Sequence, residues 1–140
     1  MNAKKITVIA SFFYFSTDLD AQPFINHTEL YIKSNSHSRD FAGDDASNGE
    51  RHLVVNSDSS KFEYCFNNTE HVCYKSTFTP FTDGLLQRSI DFLDKNYRMV
   101  RSRKEWRMQD EQTELSIVLE YSDVSNQFVL VYRLAPKTKL

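Results

Sequence analysis

From Phe81 to Leu134 the apolar residues recur first at helical and then at strand spacing. Leu86, Ile90, Leu93 and Tyr97 follow one another at intervals of four, three and four, and Leu85 and Phe92 widen the stripe. Gln87, Arg88, Asp91, Asp94 and Lys95 take the other side, which is the period of an amphipathic helix with one buried face. Two signals mark its start: Thr79-Pro80, a cap followed by proline at the first helical position, and Thr82 or Asp83 slightly later. Asn96 supplies a left-handed stop, so the expected helix covers about residues 80–96.

Beyond the helix the period becomes two. Leu115, Ile117, Leu119 and Tyr121 alternate with polar positions, and after residues 122–127 the series Phe128, Leu130, Tyr132, Leu134 repeats the pattern. Setting Tyr121 opposite Phe128 brings all eight side chains to one face of a hairpin. The run Arg98 to Met108 reads as a third strand, with Val100, Ser102, Trp106 and Met108 on one side and Arg101, Arg103, Glu105 and Arg107 on the other. Earlier in the chain, Thr28 to Lys33 and Arg51 to Asn56 are short strand candidates, and Ser34 to Glu50 is polar enough to read as a long exposed loop. Lys61 to Phe66 and His71 to Phe78 flank the turn Asn67-Asn68-Thr69-Glu70 as a second hairpin. The fold class expected is α+β: an antiparallel sheet with one main amphipathic helix packed on one face, in a single domain over residues 22–140.

Residues 1–21 stand apart. Lys4-Lys5 precedes ten mostly apolar residues, Ile6 to Phe15, and a polar tail that ends in Ala21 before Gln22, the order of a cleaved signal peptide. The apolar run is too short to span a bilayer as a helix, and no cysteine follows the cut. Leu19 departs from the small-x-small ideal at the cut, and an N-terminal β-strand is the competing reading. The expected location is periplasmic or extracellular, or cytoplasmic if the strand reading holds.

Length and composition fit one globular domain: 140 residues, 40% hydrophobic and 14% aromatic. A net charge of −2 gives no global field to recruit nucleic acid or an anionic membrane, and the leader removes two basic and two acidic residues together. No nucleic-acid partner and no stable membrane insertion are expected.

The two cysteines belong to the second hairpin. If Cys65 lies opposite Cys73, then Tyr64 meets Tyr74, Phe66 meets Val72 and Phe62 meets Ser76, so one register aligns both faces and brings the thiols within bridging distance. An exported chain is where such a Cys65–Cys73 disulfide forms, and two free thiols are the alternative. The eight-residue separation is not a C-x-x-C spacing.

Chemistry-bearing motifs are sparse. His27, His37, His52 and His71 lack the spacing that puts two imidazoles on one metal. Asp44, Asn48 and Gly49 match part of a calcium loop, but Ala46 and Val55 stand where oxygen ligands are needed. Three glycines cannot build a phosphate cradle, and no G-x-S-x-G elbow occurs. No catalytic residue, metal or cofactor is assigned. The triplets at Asn26 and Asn67 are glycosylation sequons only in a eukaryotic secretory pathway.

The densest local charge is Arg98, Arg101, Arg103, Lys104 and Arg107. Arg101, Arg103 and Arg107 would project from one strand face and could meet carboxylate- or phosphate-bearing partners. Ordinary sheet stabilisation competes: aligning Trp106 with Leu115 sets Arg107 opposite Glu114 and Arg101 opposite Glu120. The function expected is that of an exported, non-enzymatic binding protein acting on a protein partner, as an inhibitor, an immunity-type protein or an envelope accessory. The alternative is a small secreted hydrolase-type enzyme with acid/base residues on the 34–50 loop.

Overall fold

The computed structural model describes residues 23–46, 48–100, 104–109 and 113–136. The expected leader, its cut before Gln22 and the strand alternative lie outside the described residues, as do Arg101 and Arg103. Four strands, β1 (Asp40–Asp45), β2 (Arg51–Asn56), β3 (Ser60–Phe66) and β4 (Cys73–Pro80), form one antiparallel meander. A second is made by β5 (Arg98–Val100), β6 (Glu105–Gln109), β7 (Glu114–Ser122) and β8 (Gln127–Leu134). Strand β8 pairs with β4, so the eight-stranded sheet runs β1-β2-β3-β4-β8-β7-β6-β5. Helix α1 (Glu29–Asn35) precedes the first meander, and α2 (Asp83–Asn96) carries the chain from central β4 to the far edge at β5. The architecture is mostly antiparallel sheet with a helix packed on it.

One sheet face carries the core. Leu53, Val55, Phe62, Tyr64, Phe78, Leu130, Tyr132, Ile117 and Trp106 line it, and Ile32 of α1, Leu85 and Leu93 of α2, and Phe24 and Ile25 close over it. Helix α2 begins where the later signal placed it: Thr82 is the N-cap, its Oγ1 accepting the Leu85 N–H at 3.1 Å, while Thr79 and Pro80 end β4. The buried line is Leu85, Ser89, Leu93, with Ile90, Phe92 and Tyr97 packed beside it and Leu86 half-buried, so the helix is turned slightly from the expected stripe. Ser89 tolerates the centre because its hydroxyl donates to the Leu85 carbonyl at 2.8 Å. Asn96 stays helical, and the helix ends at Tyr97 in extended geometry instead of a left-handed turn. Trp106 is anchored beneath the helix by its indole N–H, which donates to Asp94 Oδ1 at 2.9 Å.

The β7–β8 hairpin forms in the expected register, Tyr121 opposite Phe128 through Leu115 opposite Leu134. Elsewhere four expectations are corrected. Thr28 to Lys33 is not a strand: Thr28 caps α1, its Oγ1 accepting the Tyr31 N–H at 3.2 Å, and Glu29 pairs with Lys33 one turn on at 3.0 Å. The 34–50 loop contains β1, which reads as polar because an edge strand draws its order from β2 hydrogen bonds and only Phe41 packs on the core. Arg51 ties this edge to α1 by a bidentate contact with Glu29 at 3.0 and 3.1 Å, and its guanidinium lies where a side chain on Gly43 would clash. The basic run is two strands, β5 and β6, with Lys104 in left-handed backbone between them, so Val100 lies opposite Glu105 instead of beside Trp106.

The fourth correction concerns the register of the cysteine hairpin. Tyr74 is an extra residue in β4, so Phe66 pairs with Cys73 while Cys65 pairs with Lys75. Below this bulge Phe62 meets Phe78 and Tyr64 meets Ser76, two residues from the expected register and on the same faces. The shift packs Phe62 against Phe78, centroids 5.2 Å apart and planes tilted by 42°, and sets the small Ser76 between Tyr64 and Tyr132. Both cysteines are free thiols in this structure; Cys73 joins the helix-side core, and Cys65 lies opposite His52 on β2.

Candidate functional site

Arg107, the one described member of the predicted basic face, is built into the sheet. It pairs with Ser116 instead of Glu114, two residues from the expected register. Even so, its Nε donates to Glu105 Oε2 at 2.7 Å and its Nη1 reaches Glu114 Oε1 at 3.4 Å. Ser116 Oγ donates to the same Glu105 oxygen at 2.6 Å, and Arg98 Nη2 lies 3.7 Å from Glu114 Oε2. Glu105 is only 4% exposed, so its contacts with Arg107 and Ser116 are enclosed, whereas Arg98 lies at the open edge of the network. Glu120 meets Arg133 at 3.9 Å.

The cysteines do not form a reactive centre. Burial pushes the Cys65 thiol up to about 11 and the Cys73 thiol up to about 12, so neither is a thiolate near neutrality. His52, opposite Cys65, is turned toward acids: Nδ1 is 3.4 Å from Glu63 Oε2 and Nε2 is 3.8 Å from Glu50 Oε1. The Tyr74 hydroxyl donates to both Glu50 oxygens at 2.8 and 3.0 Å, which holds that carboxyl below its ordinary range. Among the described residues no group of three or more His, Cys, Asp or Glu side chains is placed to hold a metal ion. No described helix is long and apolar enough to cross a membrane.

A cleft of about 220 Å³ opens instead at the end of the sheet where β4 passes into α2. Pro80, Thr82, Asp83 and Leu86 form one wall and Tyr121, Asn126, Gln127 and Phe128 the other. The β7–β8 hairpin continues the core alternation past the first turn of the helix, so its last pair has no helix above it: Tyr121 is 50% exposed and Phe128 47%. Their rings meet edge to face, centroids 5.3 Å apart and planes 79° apart. One hydrogen bond joins the walls and a second braces the hairpin wall internally. Gln127 Nε2 donates to the Pro80 carbonyl, and the Tyr121 hydroxyl donates to Asn126 Oδ1. Asn126 closes the hairpin at φ 57°, a left-handed position that asparagine tolerates. Phe81, 50% exposed, and Val124, fully exposed, stand at the same end of the molecule. Comparison with protein-family models, with curated proteins and with solved structures gave no match.

Sequence reasoning placed no function on this end. The signal was present: a helix capped at Thr82 cannot cover a strand pair that runs on to Tyr121 and Phe128, and Val124 in the connecting turn is apolar where turns are usually polar.

Proposed function

We propose that the chain is an exported, non-enzymatic binding protein of the inhibitor, immunity or envelope-accessory kind, and that it engages a protein partner through the cleft between α2 and the β7–β8 hairpin. The observation that carries this reading is the edge-to-face pair Tyr121–Phe128, half exposed at the mouth of a shallow cleft with Phe81 and Val124 at the same end of the fold. Aromatic side chains on a rigid strand pair are the residues that anchor protein interfaces, because they bring large area at small entropic cost. A cleft of about 220 Å³ is below the size of ordinary small-molecule sites, which favours a single inserted side chain of a larger partner. Export is supported by the basic, apolar, polar order of residues 1–21.

The test is capture of the partner from the native source by wild type and by Tyr121→Ser/Phe128→Ser. The double variant should retain the partner at least about tenfold less well. Because both rings are half exposed, its melting temperature should fall by no more than about 5 °C. Equal retention by the two proteins refutes the assignment of this surface.

A further inference from the structure

We propose that the cleft takes a cationic side chain, lysine or arginine, from the partner polypeptide; this rests on the reading of the cleft as a docking site and names what docks there. Tyr121 and Phe128 both line the cleft and are half exposed, and the faces of aromatic rings attract cations. The charged group lining the cleft is a carboxylate, Asp83. Around the opening the β2–β3 turn carries Asp58 and the β7–β8 turn Asp123, and the segments 57–60, 81–84 and 122–127 contain no lysine or arginine. The Phe81 N–H donates to the Ser59 carbonyl at 2.9 Å, which brings the Asp58 turn against the cleft's own connection.

Three opposing charges are smaller or stand off the cleft lining. Lys61, which follows the β2–β3 turn, alternates to the sheet face opposite the core residue Phe62 and does not line the cleft. The N-terminus of α2 brings the positive end of its dipole, equivalent to about half a unit charge, against one full negative charge on Asp83 and two more nearby. Its first turn is also partly satisfied internally, since Thr82 Oγ1 accepts the Leu85 N–H. Arg88, the nearest base on α2, reaches back toward Gly84, where its Nη1 would lie 3.8 Å from an added Cβ, but it does not line the cleft. Among the described residues the charged side chain that lines the cleft is therefore a carboxylate, and a cation seated there meets Asp83 and the exposed aromatic surface of Tyr121 and Phe128 together.

The experiment is a titration of the full chain, followed by amide nuclear magnetic resonance shifts, with three capped tripeptides: N-acetyl-glycyl-lysyl-glycine amide, its arginine analogue and its norleucine analogue. The lysine or arginine peptide should shift the signals of Asp83, Tyr121 and Phe128 saturably, and the norleucine peptide should bind at least about fivefold more weakly. Asp83→Asn, exposed and outside the core, should remove most of that preference without altering the rest of the spectrum. Equal binding of norleucine overturns the cationic assignment while leaving a docking cleft. Absence of saturable shifts with either basic peptide, or an unchanged preference in Asp83→Asn, overturns it as well, and the partner-capture test judges the docking surface separately.

Discussion

Replacing Arg107 with alanine separates two sizes of ion pair. Exposed cross-strand pairs contribute well under about 1 kcal/mol, and Arg133 with Glu120, at 3.9 Å and with side chains 48% and 43% exposed, is such a pair. Arg107 is different: its side chain is 18% exposed and its partner Glu105 is 5% exposed at 2.7 Å. Removing one member of an enclosed pair leaves the other charge in a medium that solvates it poorly, which typically costs about 3–5 kcal/mol. Glu105 keeps the Ser116 hydroxyl at 2.6 Å, and Glu114 keeps Arg98, so the expected loss is nearer about 2–3 kcal/mol. For a chain of this size that is a fall in melting temperature of roughly 8–12 °C. Thermal and urea unfolding of Arg107→Ala, with Arg133→Ala as the exposed control, measure it. Glu105→Gln combined with Arg107→Ala should be less destabilised than Arg107→Ala alone, because the stranded charge is gone. An Arg107→Ala variant that melts within about 2 °C of wild type would refute the reasoning.

Ser76 is fully buried with no hydrogen-bond partner for its hydroxyl, so Ser76→Ala should raise stability by about 1 kcal/mol in urea unfolding; a loss of that size would mean the hydroxyl is satisfied in solution. Thr82→Ala should cost about 1 kcal/mol through the lost α2 cap, seen as a lower urea midpoint with an unchanged slope. Thiol titration should find two groups that alkylate at pH 8 at least about tenfold more slowly than free cysteine and react fully on unfolding, whereas a count of zero in exported material would show a bridge. Since folding raises both thiols to about 11 and about 12, their contribution is complete below the ordinary thiol range and is lost as pH rises through those values, so stability should decline above about pH 9. N-terminal sequencing of native protein should begin at Gln22 or within a few residues of it; intact Met1 in folded cytosolic protein would refute export.

What could be read from the residues was whatever one element decides alone. The β7–β8 pairing followed from its own alternation, and the α2 start from Thr82, because an even period and a cap are local facts. The Cys65–Cys73 alignment does not follow from the residues because the bulge at Tyr74 answers to neighbours on other strands: Phe78 packing against Phe62, and Ser76 fitting between Tyr64 and Tyr132. Thr28 to Lys33 has strand-like composition, and the cap, the Glu29 contacts to Lys33 and Arg51 and the burial of Ile32 make it helical. Strand β1 was hidden for the opposite reason, since its order comes from a partner more than its own side chains. The cleft went unseen because its walls are about 40 residues apart in the chain, and exposure of Tyr121 and Phe128 depends on where α2 stops covering them.

The seam between β4 and β8 has a kinetic consequence. Every other pairing in the described sheet joins neighbours in the chain, but Phe78 with Leu130 and Lys75 with Arg133 join residues 52 and 58 positions apart. Closing a loop of that length costs about 2 kcal/mol more in chain entropy than closing a turn of six. The two meanders can therefore assemble early and independently, and their docking along the seam sets the folding rate. Apolar truncations at Phe78 or Leu130 should slow folding, whereas truncations at the far ends of the hairpins should chiefly hasten unfolding.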